Sequence, residues 1–214
     1  MMSVPFITNM NGQNLFPTWI YIAPFSGHSI EQSFPFGTRR DLIRIFTSRL
    51  LSLGYEGMSE SFDFRFTTDL PLAEVAQRLN ATMPEGITIQ TVRPPVRKAG
   101  DIDRAEYTLK LSCKDLSPNE LSEKLTVFLQ QEKIETQKHS KKGMRTIDLK
   151  PLILAQKIET ADVVNLSLTL PAGTQSNINP TLLTDAFATF EGLDLDYQNI
   201  CRDRVLCADG TAFI

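Results

Sequence analysis

Apolar and polar residues alternate with two different periods along the chain, and the change of period predicts its elements. In "SESFDFRFTT" three phenylalanines alternate with polar residues, which is typical of a half-buried strand. In "LSPNELSEKLTVFLQ" apolar residues recur every three or four positions, as on one face of a helix. Ser117, Pro118 and Glu120 form a helix-capping pattern, so this helix begins just after Ser117.

The same criteria assign the other elements. The apolar spacing in "TRRDLIRIFTSRLLSLGY" predicts a helix over residues 38–54, and "TWIYIAPF" predicts the first strand over residues 18–25. In the second half, "IETQK" and "RTIDL" read as paired strands joined by the polar "HSKKG". Further predicted strands are "ITIQTVRP", "AEYTLKLSC", "VVNLSLTL" and "YQNICRDRVLC"; further predicted helices are "DLPLAEVAQRLNATMPEG" and "NPTLLTDAFATF".

The order of these elements predicts the fold class. From residue 105 onward it is β-α-β-β-α-β, the ferredoxin-like arrangement, and from residue 18 it is β-α-β-α-β. We therefore predict an α+β fold of two ferredoxin-like (βαββαβ-type) halves with antiparallel sheets, the first half missing or shortening one strand. The predicted bounds are residues 1–17 for an N-terminal arm, 18–96 for the first half, 97–104 for a linker and 105–214 for the second half.

Composition narrows the class of protein. Hydrophobic residues make up 42% and charged residues 22% of 214 residues, as in ordinary globular chains. The net charge of -3 argues against a dedicated nucleic-acid binder, whose excess is normally basic. Three cysteines without paired spacing predict reduced, buried thiols and a cytoplasmic location. No stretch reaches the ~20 apolar residues of a membrane helix, so no membrane partner is expected.

The strongest candidate for function is a basic segment within this acidic chain. From 133 to 150 six cations stand against Glu135 and Asp148, a net charge of +4. Cations on a hairpin can contact the phosphate backbone of RNA, but they can also simply keep a strand edge from aggregating. The candidate binding residues are Lys138, His139, Lys141, Lys142, Arg145 and Lys150, together with Arg39 and Arg40 from a second basic group.

Catalytic and cofactor motifs are missing from the sequence. It contains no glycine-rich phosphate loop and no zinc spacing, and Asp194 and Asp196 fit a polar strand edge better than a metal site. His28 and His139 are its two histidines. We therefore predict no catalytic residue, no metal ligand and no cofactor.

Three functions remain open at this stage. The favoured one is a non-catalytic module that binds RNA or an RNA-modifying partner. The second is a metal-independent RNA-processing enzyme that depends on His139 or His28 with neighbouring lysines. The third is a structural protein-interaction domain, in which the shortened first half leaves a sheet edge open for a homodimer.

Several segments resemble a bacterial family, the radical-SAM-linked domain, which occurs alone or fused behind radical SAM proteins. "DLIRIFTSRLLSLGY" is similar to its first helix, and "KKGMRTIDLKPLI" is similar to its lysine-rich signature. The other matching segments, "LPLAEVAQRLNATMPEGITI", "AEYTLKL" and "DRVLCADG", extend the resemblance over residues 38–210.

The chain departs from that family at two places. Arg39 and Arg40 stand where members have Ser-His, and residues 55–59 leave no room for the Gly-Phe-Asn-Pro segment and the strand that follow the first helix.

The family has no established activity; its association with radical SAM proteins implies help with substrate recognition, with RNA as the substrate and a radical SAM protein as partner. The chain lacks the C-x3-C-x2-C motif, so it is not itself a radical SAM enzyme.

Overall fold

A computed structural model gives the structure of the chain over residues 2–8, 42–47, 51–52, 54–66, 71–82, 87–94, 96–140 and 143–213. These segments contain ten strands and three α-helices. The strands are β1 (Met2–Thr8), β2 (Leu42–Thr47), β3 (Glu56–Phe66), β4 (Ile87–Ile89), β5 (Ile102–Cys113), β6 (Glu135–Ser140), β7 (Gly143–Asp148), β8 (Ala155–Thr160), β9 (Val164–Pro171) and β10 (Leu195–Cys207). The helices are α1 (Leu72–Thr82), α2 (Pro118–Leu129) and α3 (Thr181–Glu191).

Eight strands form one sheet, in the order β4-β1-β3-β10-β5-β9-β8, with β2 added to β3. All strand pairs are antiparallel except β3 and β10, which run parallel over two residue pairs. The remaining two strands, β6 and β7, form a separate hairpin. Within the sheet, the short parallel pairing of β3 with β10 joins the strands before residue 90 to those after residue 100.

The core lies between one face of the sheet and helices α2 and α3. Alternate residues of β5 and β9 are buried in it, because successive side chains of a strand point to opposite faces. From α2 the buried residues are Leu121, Leu125, Phe128 and Leu129, the stripe expected from the helical period. The opposite face of β5 and β9 carries half-buried polar side chains such as Thr108 and Ser167, which lie opposite each other in the ladder.

Local signals placed the beginning of α2 correctly. Ser117 is the N-cap, its hydroxyl accepts the Glu120 N–H, and the Glu120 carboxylate accepts the Ser117 N–H at 2.9 Å. The Asn179-Pro180 pattern predicts a helix whose first residue is Pro180, but α3 begins one residue later, at Thr181. Pro180 is the residue before the helix, and the side chain of Asn179 accepts the Thr181 N–H at 3.1 Å.

One prediction for the first half is wrong. Residues 42–47 were predicted to be helical, yet Leu42–Thr47 is a strand paired with β3. This run contains Ile43, Ile45 and Thr47, β-branched residues that suit a strand, and the neighbouring strand overrides the helical spacing. The predicted N-terminal arm contains a strand, since Met2–Thr8 pairs with both β3 and β4. The strand predicted at residues 18–25 lies outside the described residues.

The sequence reasoning missed β8, which pairs with β9, and it did not foresee that the β6–β7 hairpin would stand apart from the main sheet. The mixed α+β fold with a mostly antiparallel sheet is confirmed. The finer prediction, two ferredoxin-like halves, is not confirmed, because strands from both parts share one sheet. The domain bounds at 17, 96 and 104 stay predictions.

Candidate functional site

The basic hairpin consists of β6 and β7 and the two residues between them. Ser140, the last residue of β6, pairs with Gly143, the first residue of β7. Gly143 has a φ of 107°, a left-handed value that glycine adopts without strain. Lys138 lies directly opposite Arg145 in the register, and His139 lies opposite Met144. The hairpin thereby brings together two cations that are seven positions apart in the sequence.

The foot of the hairpin is fixed to the core. Ile134 and Leu149 are buried, and the Leu149 N–H donates to the Ile134 carbonyl at 2.8 Å. The Asp148 carboxylate accepts the N–H groups of Ile134 at 2.9 Å and Lys150 at 3.0 Å. The bond from Ile134, the one from Lys150 and the nearby lysines together hold the pKa of Asp148 below its usual value, against a smaller effect of desolvation.

Two of the candidate cations hold the hairpin in place. Lys150 donates from Nζ to the Leu129 carbonyl at 2.5 Å and so satisfies one free carbonyl at the end of α2. Lys138 donates from Nζ to the Asn177 carbonyl at 2.6 Å. Partial burial, followed by the charge of Arg145, lowers the pKa of Lys138.

The charges of the hairpin are separated along its length. At the foot, Lys133 pairs with Glu135 at 2.6 Å, and Asp148 is occupied by backbone N–H groups. Residues 136–147 contain four cations and no carboxylate. Arg145 and Met144 are exposed, and Arg145 takes part in none of the ion pairs seen among the described residues. The tip is therefore the most strongly positive part of this hairpin.

Most of the other predicted basic residues are not tested by the structure. Arg39, Arg40, Lys141, Lys142 and His28 lie outside the described residues. The sequence contains a third basic group, Arg93, Arg97 and Lys98, of which Arg97 donates to Thr211 at 2.6 Å and contacts Asp209 at 3.4 Å. The structure therefore places Lys138, His139, Arg145 and Lys150 on one hairpin and its foot, and it leaves the convergence of the three groups untested.

Sequence reasoning missed a buried ion pair between β3 and β10. Arg202 donates from Nε to Glu60 Oε1 at 2.7 Å and from Nη2 to Oε2, and each side chain is 5% exposed. Burial alone would lower the pKa of Arg202, but Glu60 and the hydroxyl of Tyr107 outweigh it and raise the pKa. No local pattern indicates this pair, because its members are 142 positions apart.

Gly57 makes room for that ion pair. Gly57 and Glu60 lie on one face of β3 because the pairing with β1 shifts register between them. A Cβ at position 57 would stand 2.6 Å from Glu60 Cγ, closer than such contacts occur. Next to the pair, burial raises the pKa of Cys201 to about 12, helped by Asp203, so this thiol is protonated and unreactive at neutral pH.

The polar face of the sheet contains a shallow groove of about 250 Å³. Polar residues that line it include Glu106, Thr108, Lys157, Ser167 and Asp203. Glu106 pairs with Arg204 at 2.6 Å, and Asp203 accepts the Thr108 hydroxyl at 2.7 Å. The one aromatic residue of its lining is Tyr107, which is buried, so the groove offers no ring on which a nucleobase could stack.

Within the described ranges, no set of histidine, cysteine and acidic side chains comes close enough together to hold a metal ion. None of the described helices is both long and apolar enough to cross a membrane. All three cysteines are free and buried, as predicted.

The model of a family described as "Uncharacterized protein conserved in bacteria (DUF2344)" matches residues 41–180, which are 140 of the 214 residues. The chain belongs to the DUF2344 family. The matched region contains the basic hairpin, whereas Arg202 lies beyond it. No curated protein matches the chain.

Proposed function

We propose that this DUF2344 protein is a non-catalytic binding module whose basic hairpin contacts the phosphate backbone of RNA. The observation that carries the proposal is the separation of charge on the hairpin. Its two carboxylates lie at the foot and are occupied, while residues 136–147 carry four cations and no carboxylate. The negatively charged phosphate backbone of RNA is complementary in charge to this positively charged tip.

The pairing of Lys138 with Arg145 supports this proposal. Like charges that lie directly opposite on two strands destabilise a hairpin. The repulsion is tolerated here because the foot is anchored by Asp148 and by buried apolar residues. An anion bound between the two cations would relieve it, so binding and hairpin stability are expected to be coupled.

The test is RNA binding by a charge-reversal variant with a matched control. K141E/R145E and K110E/K114E each change the net charge by -4, but the second pair lies outside the hairpin, at exposed positions of β5 and the following turn. Affinity for a labelled single-stranded RNA is measured over a range of salt concentrations. The hairpin variant is expected to bind weakly and to reduce the salt slope by about 1.4, because each lost phosphate contact accounts for about 0.7. Equal losses in both variants would sink the proposal.

The partner of the module is proposed from its resemblance to the radical-SAM-linked domain. In this proposal a cytoplasmic radical SAM protein acts on the RNA that the hairpin holds. Co-purification of a radical SAM protein with the wild-type chain, from a lysate treated with ribonuclease, would support a direct contact. Loss of the complex on ribonuclease treatment would limit the proposal to RNA binding.

The prediction of two ferredoxin-like halves also belongs to this proposal. The order β10-β5-β9-β8, with all three pairs antiparallel, supports it for the second half. In that arrangement the β6–β7 hairpin is an insertion between α2 and β8, and inserted hairpins on a rigid scaffold commonly carry binding residues.

A further inference from the structure

One end of the eight-stranded sheet is formed by β8. Its one partner among the described strands is β9, and every residue of β8 except the half-buried Ile158 is exposed. A strand in this position presents backbone donors and acceptors on which another strand can form.

The hydrogen bonds of the turn after β8 show which backbone groups face outward. Thr160 pairs with Val164, and the next N–H, that of Ala161, donates to the Val163 carbonyl at 3.0 Å. Bonded and non-bonded pairs alternate along an antiparallel ladder, so the odd-numbered residues of β8 bond to β9. The N–H and C=O groups of Gln156, Ile158 and Thr160 therefore point away from the sheet.

The charges on β8 are arranged symmetrically about Ile158. Lys157 precedes it and Glu159 follows it, and their side chains contact each other at 2.8 Å while being 66% and 59% exposed. An antiparallel pairing of two copies centred on Ile158 places each Lys157 opposite Glu159 of the second copy. The same pairing joins the outward groups of Ile158 to each other and those of Gln156 to Thr160.

The neighbouring registers are disfavoured. A register centred on residue 157 places two lysines directly opposite each other, and one centred on residue 159 places two glutamates opposite each other. Like charges in this position are destabilising. Charged edges usually prevent pairing, but among these three registers only the one centred on Ile158 places opposite charges opposite each other, and it also joins the outward backbone groups of Gln156, Ile158 and Thr160.

We propose that β8 is a self-association edge, through which two copies of this chain pair antiparallel about Ile158. The occupant is a second copy and not a foreign peptide, because the charge pattern of β8 is complementary to itself. This surface is separate from the basic hairpin, so failure of either proposal leaves the other intact.

The test uses two charge reversals, alone and mixed. K157E and E159K each place like charges opposite each other in the dimer, and each is expected to raise the dimer dissociation constant at least about tenfold. An equimolar mixture of the two variants restores opposite charges only between copies, so it is expected to form heterodimers. Sedimentation equilibrium over a micromolar concentration series, with native mass spectrometry of the mixture, gives the readout.

Two controls separate this pairing from other causes. K110E changes the same charge on β5, away from the edge, and is expected to dimerise like the wild type. Q156P removes an outward N–H without touching the ladder to β9, and is expected to weaken the dimer. A monomeric wild type would overturn the proposal, as would a dimer that neither K157E nor E159K weakens or a mixture that does not form heterodimers.

Discussion

The tip of the basic hairpin and the ion pair between β3 and β10 are two concentrations of charge with opposite properties. At the tip, Arg145 is exposed and lies opposite another cation. Between the strands, Arg202 is 5% exposed and bonded twice to one carboxylate. An arginine is therefore available to bind a ligand only where the fold does not pair it with an anion. The residue type alone does not reveal which of the two cases applies.

The largest expected effect comes from breaking the buried pair. Arg202→Met leaves the Glu60 carboxylate buried without its partner and is expected to lower the free energy of unfolding by about 3–5 kcal/mol. Urea unfolding measures the change. Arg204→Met is the matched control, because Arg204 is 61% exposed and its ion pair is worth at most about 1 kcal/mol. Equal losses in the two variants would contradict the distinction between buried and exposed charge.

The second effect concerns the space above Gly57. Gly57→Ala places a methyl group against the Glu60 side chain and is expected to cost about 1–3 kcal/mol through overpacking. In the background of Glu60→Ala the obstructing atoms are gone, so the same change is expected to cost far less. Unfolding free energies of the four proteins in this cycle give the coupling, and an additive result would show that Gly57 does not serve the ion pair.

Reversing charge at the tip is expected to affect stability little. K141E/R145E should change the free energy of unfolding by no more than about 0.5 kcal/mol, because Arg145 is exposed and takes part in none of the ion pairs seen among the described residues, and surface substitutions of this kind have small effects. The same urea titration as for Arg202 measures it. Should this variant prove as unstable as Arg202→Met, the tip would be a structural element rather than a binding surface.

The smallest effect is local and depends on pH. The pKa of Asp148 is lowered by folding, so its contribution to stability is present above its unfolded value of about 3.8 and is lost as the pH falls through the lower folded pKa. The amide resonances of Ile134 and Lys150 are expected to shift with this midpoint. Asp148→Asn should abolish the transition, and a midpoint above 3.8 would contradict the assignment.

Sequence patterns identified those elements whose residues interact with close neighbours. The cap at Ser117, the buried stripe of α2 and the β6–β7 hairpin each depend on contacts within about a dozen positions, so local period and turn chemistry sufficed. The candidate residues of the hairpin were found by the same local reasoning, although the structural roles of Lys138 and Lys150 were not. Their acceptors, Asn177 and Leu129, lie 39 and 21 positions away.

By itself the sequence determined the α+β class, three buried cysteines, the capped helix α2 and a hairpin with an excess of cations. Each of these follows from composition or from short-range periodicity. Tertiary structure alone decided that Leu42–Thr47 is a strand, that Arg202 is neutralised by Glu60, and that β8 lies at the end of the sheet. These features depend on which distant strands lie side by side, and such pairing is set by the packing of the whole sheet rather than by any local pattern.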